Sequence, residues 1–242
     1  MTPLLRIEDR DRGAWTPFDD AAAGVAGPGG SPPRMLVVLA GAGFDPARLR
    51  AEAARATAVV AADAGALLCR AAGIEPAAVV GDFDSISAEA LAAFPPDRLH
   101  PSPDPDSNDL EKALTFVAGR YGAGAEVALA AGGGVDGGRM DHALANLGPI
   151  VREPHARISM IDGEGRLFAL RHGSVVVRGL TGRGLSILPW SLHGVTVSAV
   201  GVRYPLDHAL LHLGGRGVSN EVVADEATVT VHDGVTLLWV EC

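Results

Sequence analysis

The sequence predicts an α/β protein: a doubly wound, mostly parallel sheet followed by a C-terminal antiparallel β-sandwich. Three observations predict it. Between Met35 and Ala131, short apolar or β-branched runs alternate with helical patterns, as in a parallel sheet with crossover helices. Two of those runs empty into acids, Asp63 and Asp82, and ligands in open α/β sheets sit outside the carboxyl ends of the strands. After about residue 165 the texture changes to short alternating runs broken by glycine, the pattern of a sandwich or barrel.

Bulk composition bounds the function. The chain has 242 residues, 48% hydrophobic and 20% charged, enough for one large or two small domains with real cores. A net charge of -9 argues against nucleic acid and anionic membrane surfaces as partners. The charged N-terminal stretch lacks the apolar core of a signal peptide, and no apolar run is long enough to span a bilayer. Two cysteines, Cys69 and Cys242, make neither a zinc site nor a disulfide framework, which fits a reducing cytoplasm. Lys112 is the only lysine in the chain.

Residues 1–33 read as an N-terminal extension, loop-like where Gly24 to Pro33 concentrates Gly and Pro. Met35 to Ala40 reads as a buried strand, Pro46 to Ala56 as a helix, Ala58 to Ala62 as a second strand and Ala64 to Ala72 as a helix closed by Gly73. The run Ala77-Ala78-Val79-Val80 is a third strand, leading into Gly81-Asp82-Phe83-Asp84-Ser85. In an extended segment Asp82 and Asp84 share a face; two such carboxylates suit Mg²⁺, although Asp and Gly also make ordinary solvated turns. Residues 95 to 105 are too proline-rich for regular structure.

A helix follows, with Asp106 or Ser107 as N-cap, an apolar stripe of Leu110, Leu114 and Val117, and Asp106, Asp109 and Lys112 along another face. Such a face is either a solvated surface or part of the strand-end crevice. Glu126 to Ala131 is another strand, running into the glycine-rich 132–138, which precedes a helix and suits phosphate. It is not a Walker A loop, because no Gly-Lys-Ser/Thr follows. Arg139 suits phosphate oxygens through its planar fork. In the C-terminal part, Asp233-Gly234 between Val231 and Val235 is a hairpin signal. Many carboxylates with few cations beside a glycine-rich turn suggest Mg²⁺ holding a polyphosphate.

Four motifs in order, GDFDS at 81–85, DSNDLEKAL at 106–114, GGRMDH at 137–142 and GVSNE at 217–221, resemble the thiamine pyrophosphokinase family from about Met35 to the C-terminus. The resemblance implies transfer of a diphosphoryl group from ATP to the hydroxyl of thiamine, with AMP released and Mg²⁺ required. It implies a Rossmann-like ATP- and Mg²⁺-binding catalytic domain at 34–166, a thiamine-binding β-sandwich at 167–242, and a homodimer with thiamine between the subunits. Asp82, Asp84 and Asp109 are then the metal ligands and, with Asp141, the catalytic set. Lys112, Arg139, Gly138 and Asn108 contact ATP phosphates, and Asp141 orients the ligand or the attacking hydroxyl. Tyr204, Ser219, Asn220 and Asp63 belong to the thiamine site. The chain departs from the family twice: Ala64 stands in a usual Ala-Asp-Gly-Gly, and Tyr204 replaces a larger indole.

Three other readings compete. A haloacid-dehalogenase-like phosphatase also uses Asp-x-Asp after a strand, but gives the Arg139 turn no role. A diphosphokinase for another alcohol, such as a pterin carbinol, is opposed by GVSNE. A non-catalytic thiamine or nucleotide sensor would not need the retained Asp82, Asp84, Asp109, Lys112 and Arg139.

Overall fold

The computed structural model describes residues 4–8, 15–16, 32–41, 44–131, 140–152, 157–161 and 163–242. The chain divides into two compact units: Met1–Gly24, Ile150–Ser159 and Glu164–Cys242 form one; Val25–Pro149 and Met160–Gly163 form the other. At the N-terminus, strand β1 (Leu4–Glu8) pairs antiparallel with β2 (Trp15–Thr16). These strands correct the expectation of a wholly loop-like extension.

The α/β unit then runs β3 (Arg34–Leu39), α1 (Pro46–Arg55), β4 (Ala58–Ala62), α2 (Gly65–Ala71), β5 (Ala78–Gly81), α3 (Ala88–Leu91), β6 (Leu99–Pro101), α4 (Asp109–Tyr121) and β7 (Glu126–Ala131). The strands pair in parallel, in the order β7-β3-β4-β5-β6. Their apolar runs are buried on both faces, as crossover helices demand. Leu36, Val38, Ala61 and Val79 pack with Leu49, Ala66 and Cys69 from the helices. Burial pushes the Cys69 thiol up to about 12, so it is inert packing.

Residues 95 to 105 are more ordered than their prolines suggested: Pro96–Arg98 is a 3-10 turn, and β6 pairs with β5. Pro101 is tolerated because β6 pairs on one side only among the described residues. The α4 cap also differs from expectation. Asn108, not Asp106 or Ser107, is the N-cap, in a reciprocal capping box with Glu111. Asp104 instead accepts from the Asp106 N–H and the Ser107 hydroxyl, which holds Asp106 in the turn before the helix.

Helix α5 (Met140–Arg152) and strand β8 (Ile158–Ile161) follow. The β-rich unit comprises β9 (Gly165–Arg178), β10 (Gly184–Pro189), β11 (Val195–Val200), β12 (Leu206–Leu211), β13 (Asn220–Glu221) and β14 (Glu226–Glu241). β1 adds in parallel to the second half of β9. β14 runs antiparallel to β9 along nearly its whole length. Its first half also pairs with β11 and its second half with β10, the double-sheet arrangement of a sandwich. The inner faces bury Phe168, Leu185, Val197, Val229 and Leu238 together.

Asp233-Gly234 does not make the expected hairpin. It sits inside β14, where the register shifts against both β9 and β11. Gly234 has φ +84, and a Cβ there would lie 2.9 Å from the Gly194 carbonyl oxygen. The extra residues bulge and bend the strand rather than reverse it, which lets one chain serve two sheets.

The departure at Ala64 is benign. Ala64 has φ −61, an ordinary helical value. The close approach belongs to Gly65, where a Cβ would lie 2.0 Å from the Val38 carbonyl oxygen. We predict that Gly65→Ala destabilises the fold by about 1–3 kcal/mol in denaturant unfolding, through overpacking against backbone. Ala64→Gly changes it by less than about 1 kcal/mol; equal losses would refute this assignment.

Candidate functional site

β4 and β5 end side by side, and each is followed by an acid. Asp63 adopts φ 44 and is 1% exposed, and its backbone N–H donates to the Val80 carbonyl. Gly81 lies against it: a Cβ at Gly81 would be 3.0 Å from the Asp63 Cβ. Buried carboxylates normally find partners, yet Asp63 Oδ1 has none among the described residues.

The 82–84 segment is not the extended stretch the sequence suggested. β5 ends at Gly81, and Phe83 takes φ 65, uncommon for an aromatic residue. This turns Asp84 back so that its N–H donates to Asp82 Oδ1 at 3.3 Å, and the Ser85 hydroxyl donates to Asp84 Oδ1 at 2.9 Å. A turn, not strand alternation, thus brings these carboxylates together. The Phe83 ring packs on the α/β core, which helps hold the strained backbone.

α4 supplies the cation. Its capping box fixes where the helix begins, and the helix packs on β3, β4 and β5. From its first turns Lys112 reaches Asp82 Oδ2 at 2.5 Å and Asp109 Oδ1 at 3.7 Å, with its side chain only 3% exposed. A covered ammonium needs such partners. The Lys112 hydrogen bond, then the Asp84 N–H, hold the Asp82 carboxyl below its ordinary value. The bond to Asp82 holds Lys112 above its own. Asp109 moves the other way: burial first, then the charge of Asp63, push its carboxyl up, despite Lys112. The cluster therefore carries more negative charge than one ammonium balances.

Of the remaining predicted phosphate contacts, Asn108 is engaged as the α4 cap. Gly138 and Arg139 lie outside the described residues. Asp141 stands exposed in the first turn of α5. Among the described residues, no three acid, histidine or cysteine side chains are close enough to hold a metal by themselves.

The β-rich unit carries an open cavity of about 380 Å³. Tyr204, Ser219 and Asn220 line it together, whereas Asp63 lies in the acidic cluster and is not in its lining. Tyr204 is 62% exposed. Asn220 is buried and works on the backbone: its Oδ1 accepts from the Tyr204 and Glu221 N–H groups, and its Nδ2 donates to the Tyr204 carbonyl. Asn220 thus fixes the loop that presents Tyr204. Sequence reasoning missed Ser186, Trp239 and Glu241, which also line the cavity. The available signal was period-2 alternation in Leu237-Leu238-Trp239-Val240-Glu241, which sets Trp239 and Glu241 on one face.

A strand-end carboxylate cluster around one covered lysine in one unit, and an open cavity in the β-rich unit, define a two-part α/β protein. Family models narrow the class. Residues 49–161 match thiamin pyrophosphokinase, catalytic domain, and residues 174–236 match thiamin pyrophosphokinase, vitamin B1 binding domain. Together they take in well over half of the chain, which belongs to the thiamine pyrophosphokinase family. Thiamine pyrophosphokinase 1 of Oryza sativa subsp. japonica is 27% identical over 181 residues, 68% of this chain and 65% of the relative. The chain thus spans just under two thirds of that relative's length. Thiamine pyrophosphokinase of Bacillus subtilis is 26% identical over 189 residues, 74% of this chain and 85% of that protein. The crystal structure of the Bacillus subtilis protein superposes with a TM-score of 0.73 at 22% identity, covering 86% of this chain and 98% of that one. The yeast thiamin pyrophosphokinase structure gives 0.74 at 13% identity, covering 88% and 87%. At these identities the structural likeness establishes the fold.

The charge arrangement makes a prediction for the metal-free protein. In a carbon-detected NMR titration, Asp82 titrates below the ordinary 3.8 and Asp109 above it. Because the folded value of Asp82 is depressed, the stability it contributes is present above the unfolded value and lost as pH falls through the folded one. Lys112→Met removes the cation, so both carboxyls move up; an unmoved Asp82 would contradict the pairing.

Proposed function

We propose that this protein transfers a diphosphoryl group from ATP to the hydroxyl of thiamine, giving thiamine diphosphate and AMP. The observation that carries the reading is Lys112 held between Asp82 and Asp109 at the strand ends of a chain of this family. In the reaction the thiamine oxygen bonds to the β-phosphorus of ATP. The bond from that phosphorus to the AMP oxygen breaks, and the hydroxyl proton leaves. This chemistry asks mainly for positioning and charge neutralisation.

The donor set fits Mg²⁺. Asp63 Oδ1 is buried without a partner among the described residues, and burial, then the charge of Asp63, push the Asp109 carboxyl up, so a hard cation beside them relieves both. Asp82, Asp84 and Asp109 would hold the ion, with phosphate oxygens of ATP completing the shell. Bound there, it supplies charge neutralisation to the polyphosphate. The remaining roles belong to the chain. Lys112, prealigned by two carboxylates, binds phosphate oxygen. Asn108 acts through the helix it caps, presenting Asp109 and Lys112. Gly138 and Arg139 contact the phosphates. Asp141 orients the hydroxyl. Tyr204 and Ser219 face the acceptor, and Asn220 holds Tyr204 in place.

The same reading makes the protein a homodimer, which the exposed Leu192, Leu210, Leu213 and Val218 on the β-rich unit support. It also places the protein in the cytoplasm, consistent with its two free cysteines. No helix among the described residues is long and apolar enough to cross a membrane. A pterin-type acceptor finds no support beside a match to a vitamin B1 binding domain.

The test is AMP formation by the purified protein with ATP, Mg²⁺ and thiamine. Thiamine-dependent AMP, in step with thiamine diphosphate, is expected; ADP or free phosphate without AMP would overturn the proposal. Asp82→Asn and Asp109→Asn should each lower turnover by at least about a hundredfold with an unchanged circular dichroism spectrum. Full activity in both variants would remove these residues from the site.

A further inference from the structure

The proposed roles leave the largest side chain of the cavity without a task. β14 alternates so that Leu238 and Val240 enter the sandwich core, at 0% and 1% exposure, and Trp239 takes the opposite face. An indole turned away from the core calls for a reason. Its bed is made by two glycines on the flanking strands. A Cβ at Gly165 on β9 would lie 2.5 Å from Trp239 Cε2, and one at Gly184 on β10 would lie 3.0 Å from Cζ3. Side chains at either position would lift the ring. Glycine at both lets it lie against the sheet and form a wall of the open cavity.

The charge beside the ring is also fixed. Glu241 shares the Trp239 face, and its Oε2 accepts from the Gly184 N–H at 2.8 Å while its Oε1 takes Arg183 at 2.8 Å. These bonds hold it ionised, since both lower its pKa. Glu221 sits in the same lining, paired with Arg203 at 3.1 Å. A flat indole face beside held carboxylates is recognition chemistry for a planar aromatic cation, and indole is the strongest of the aromatic faces for it.

We propose that Trp239, seated on Gly165 and Gly184 and flanked by Glu241, is the stacking platform for the heteroaromatic part of the cationic acceptor and a determinant of acceptor affinity alongside Tyr204. This rests on the reading that thiamine is the acceptor.

The test measures thiamine binding by calorimetry, and KM for thiamine and for ATP, in the full chain and in three variants. Trp239→Ala should weaken thiamine binding about tenfold or more, the size of a lost cation–π contact with its buried area. Trp239→Phe, which keeps a smaller ring, should weaken it at least about threefold. Gly184→Ala keeps the indole but displaces it, and should raise the thiamine KM several-fold. In all three, kcat and the ATP KM stay within about twofold, a split that loss of fold would not produce. If Trp239→Ala does not fold, the other two variants decide. Folded variants that bind thiamine as wild type does, even with lowered melting temperatures, would reduce Trp239 to packing and overturn the inference alone. Wild-type protein that neither binds nor converts thiamine would overturn both this inference and the proposed function.

Discussion

The contact between Lys112 and Asp82 is the constraint around which the α/β unit is arranged. It joins a helix to the end of a strand thirty residues earlier. An ammonium with 3% of its side chain exposed is costly unless carboxylates surround it. Asp82 and Asp109 do so, and their geometry depends on features further out. The Asn108–Glu111 capping box sets the start of α4, the left-handed Phe83 turns Asp84 onto Asp82, and Gly81 lets Asp63 stand close beside β5. Each of these is locally demanding, and each is offset by what it positions.

The charge balance of the cluster follows from the same contact. The Lys112 hydrogen bond holds the Asp82 carboxyl low, while burial, then the charge of Asp63, hold Asp109 high. The buried, unpartnered oxygen of Asp63 adds to the excess. The cation and polyphosphate proposed above would meet a surplus of carboxylate and a prealigned lysine.

The β-rich unit solves a different problem. β9 and β14 are long, and the bulge at Asp233-Gly234 lets β14 pair with β11 and then with β10. That change of partner leaves room on the outer face for a cavity whose wall is an indole seated on glycines. Asn220 closes the arrangement by making backbone-like hydrogen bonds to Tyr204 from a side chain. Backbone recognition of this kind tolerates no shift of register, and β13, only two residues long, is anchored at that point.

Much was legible in the sequence because it is local. Apolar runs with crossover patterns specified the parallel strands, the change of texture near residue 165 marked the β-rich unit, and the strand-end acids with the lone lysine marked the acidic cluster. Most misreadings fell where neighbours decide; the α4 cap was a local one, since Asn108 and Glu111 form a capping box three residues apart. Asp233-Gly234 carries a hairpin signal, but pairing on both sides of β14 made it a bulge. Residues 99–101 carry an irregular composition, but an edge position beside β5 made them a strand. Asp82 and Asp84 were expected to share a face by alternation, and a turn through Phe83 brings them together. Trp239 passed unnoticed because its meaning lies in Gly165 and Gly184, 74 and 55 positions away in the chain and adjacent only across hydrogen-bonded strands. The sequence by itself determined the secondary-structure alternation and the chemical inventory of the site, since both follow from residue type and short-range spacing. Only the tertiary structure decided which carboxylate holds the lysine, which asparagine oxygen holds a loop, and which aromatic faces the cavity, because those depend on long-range proximity and burial.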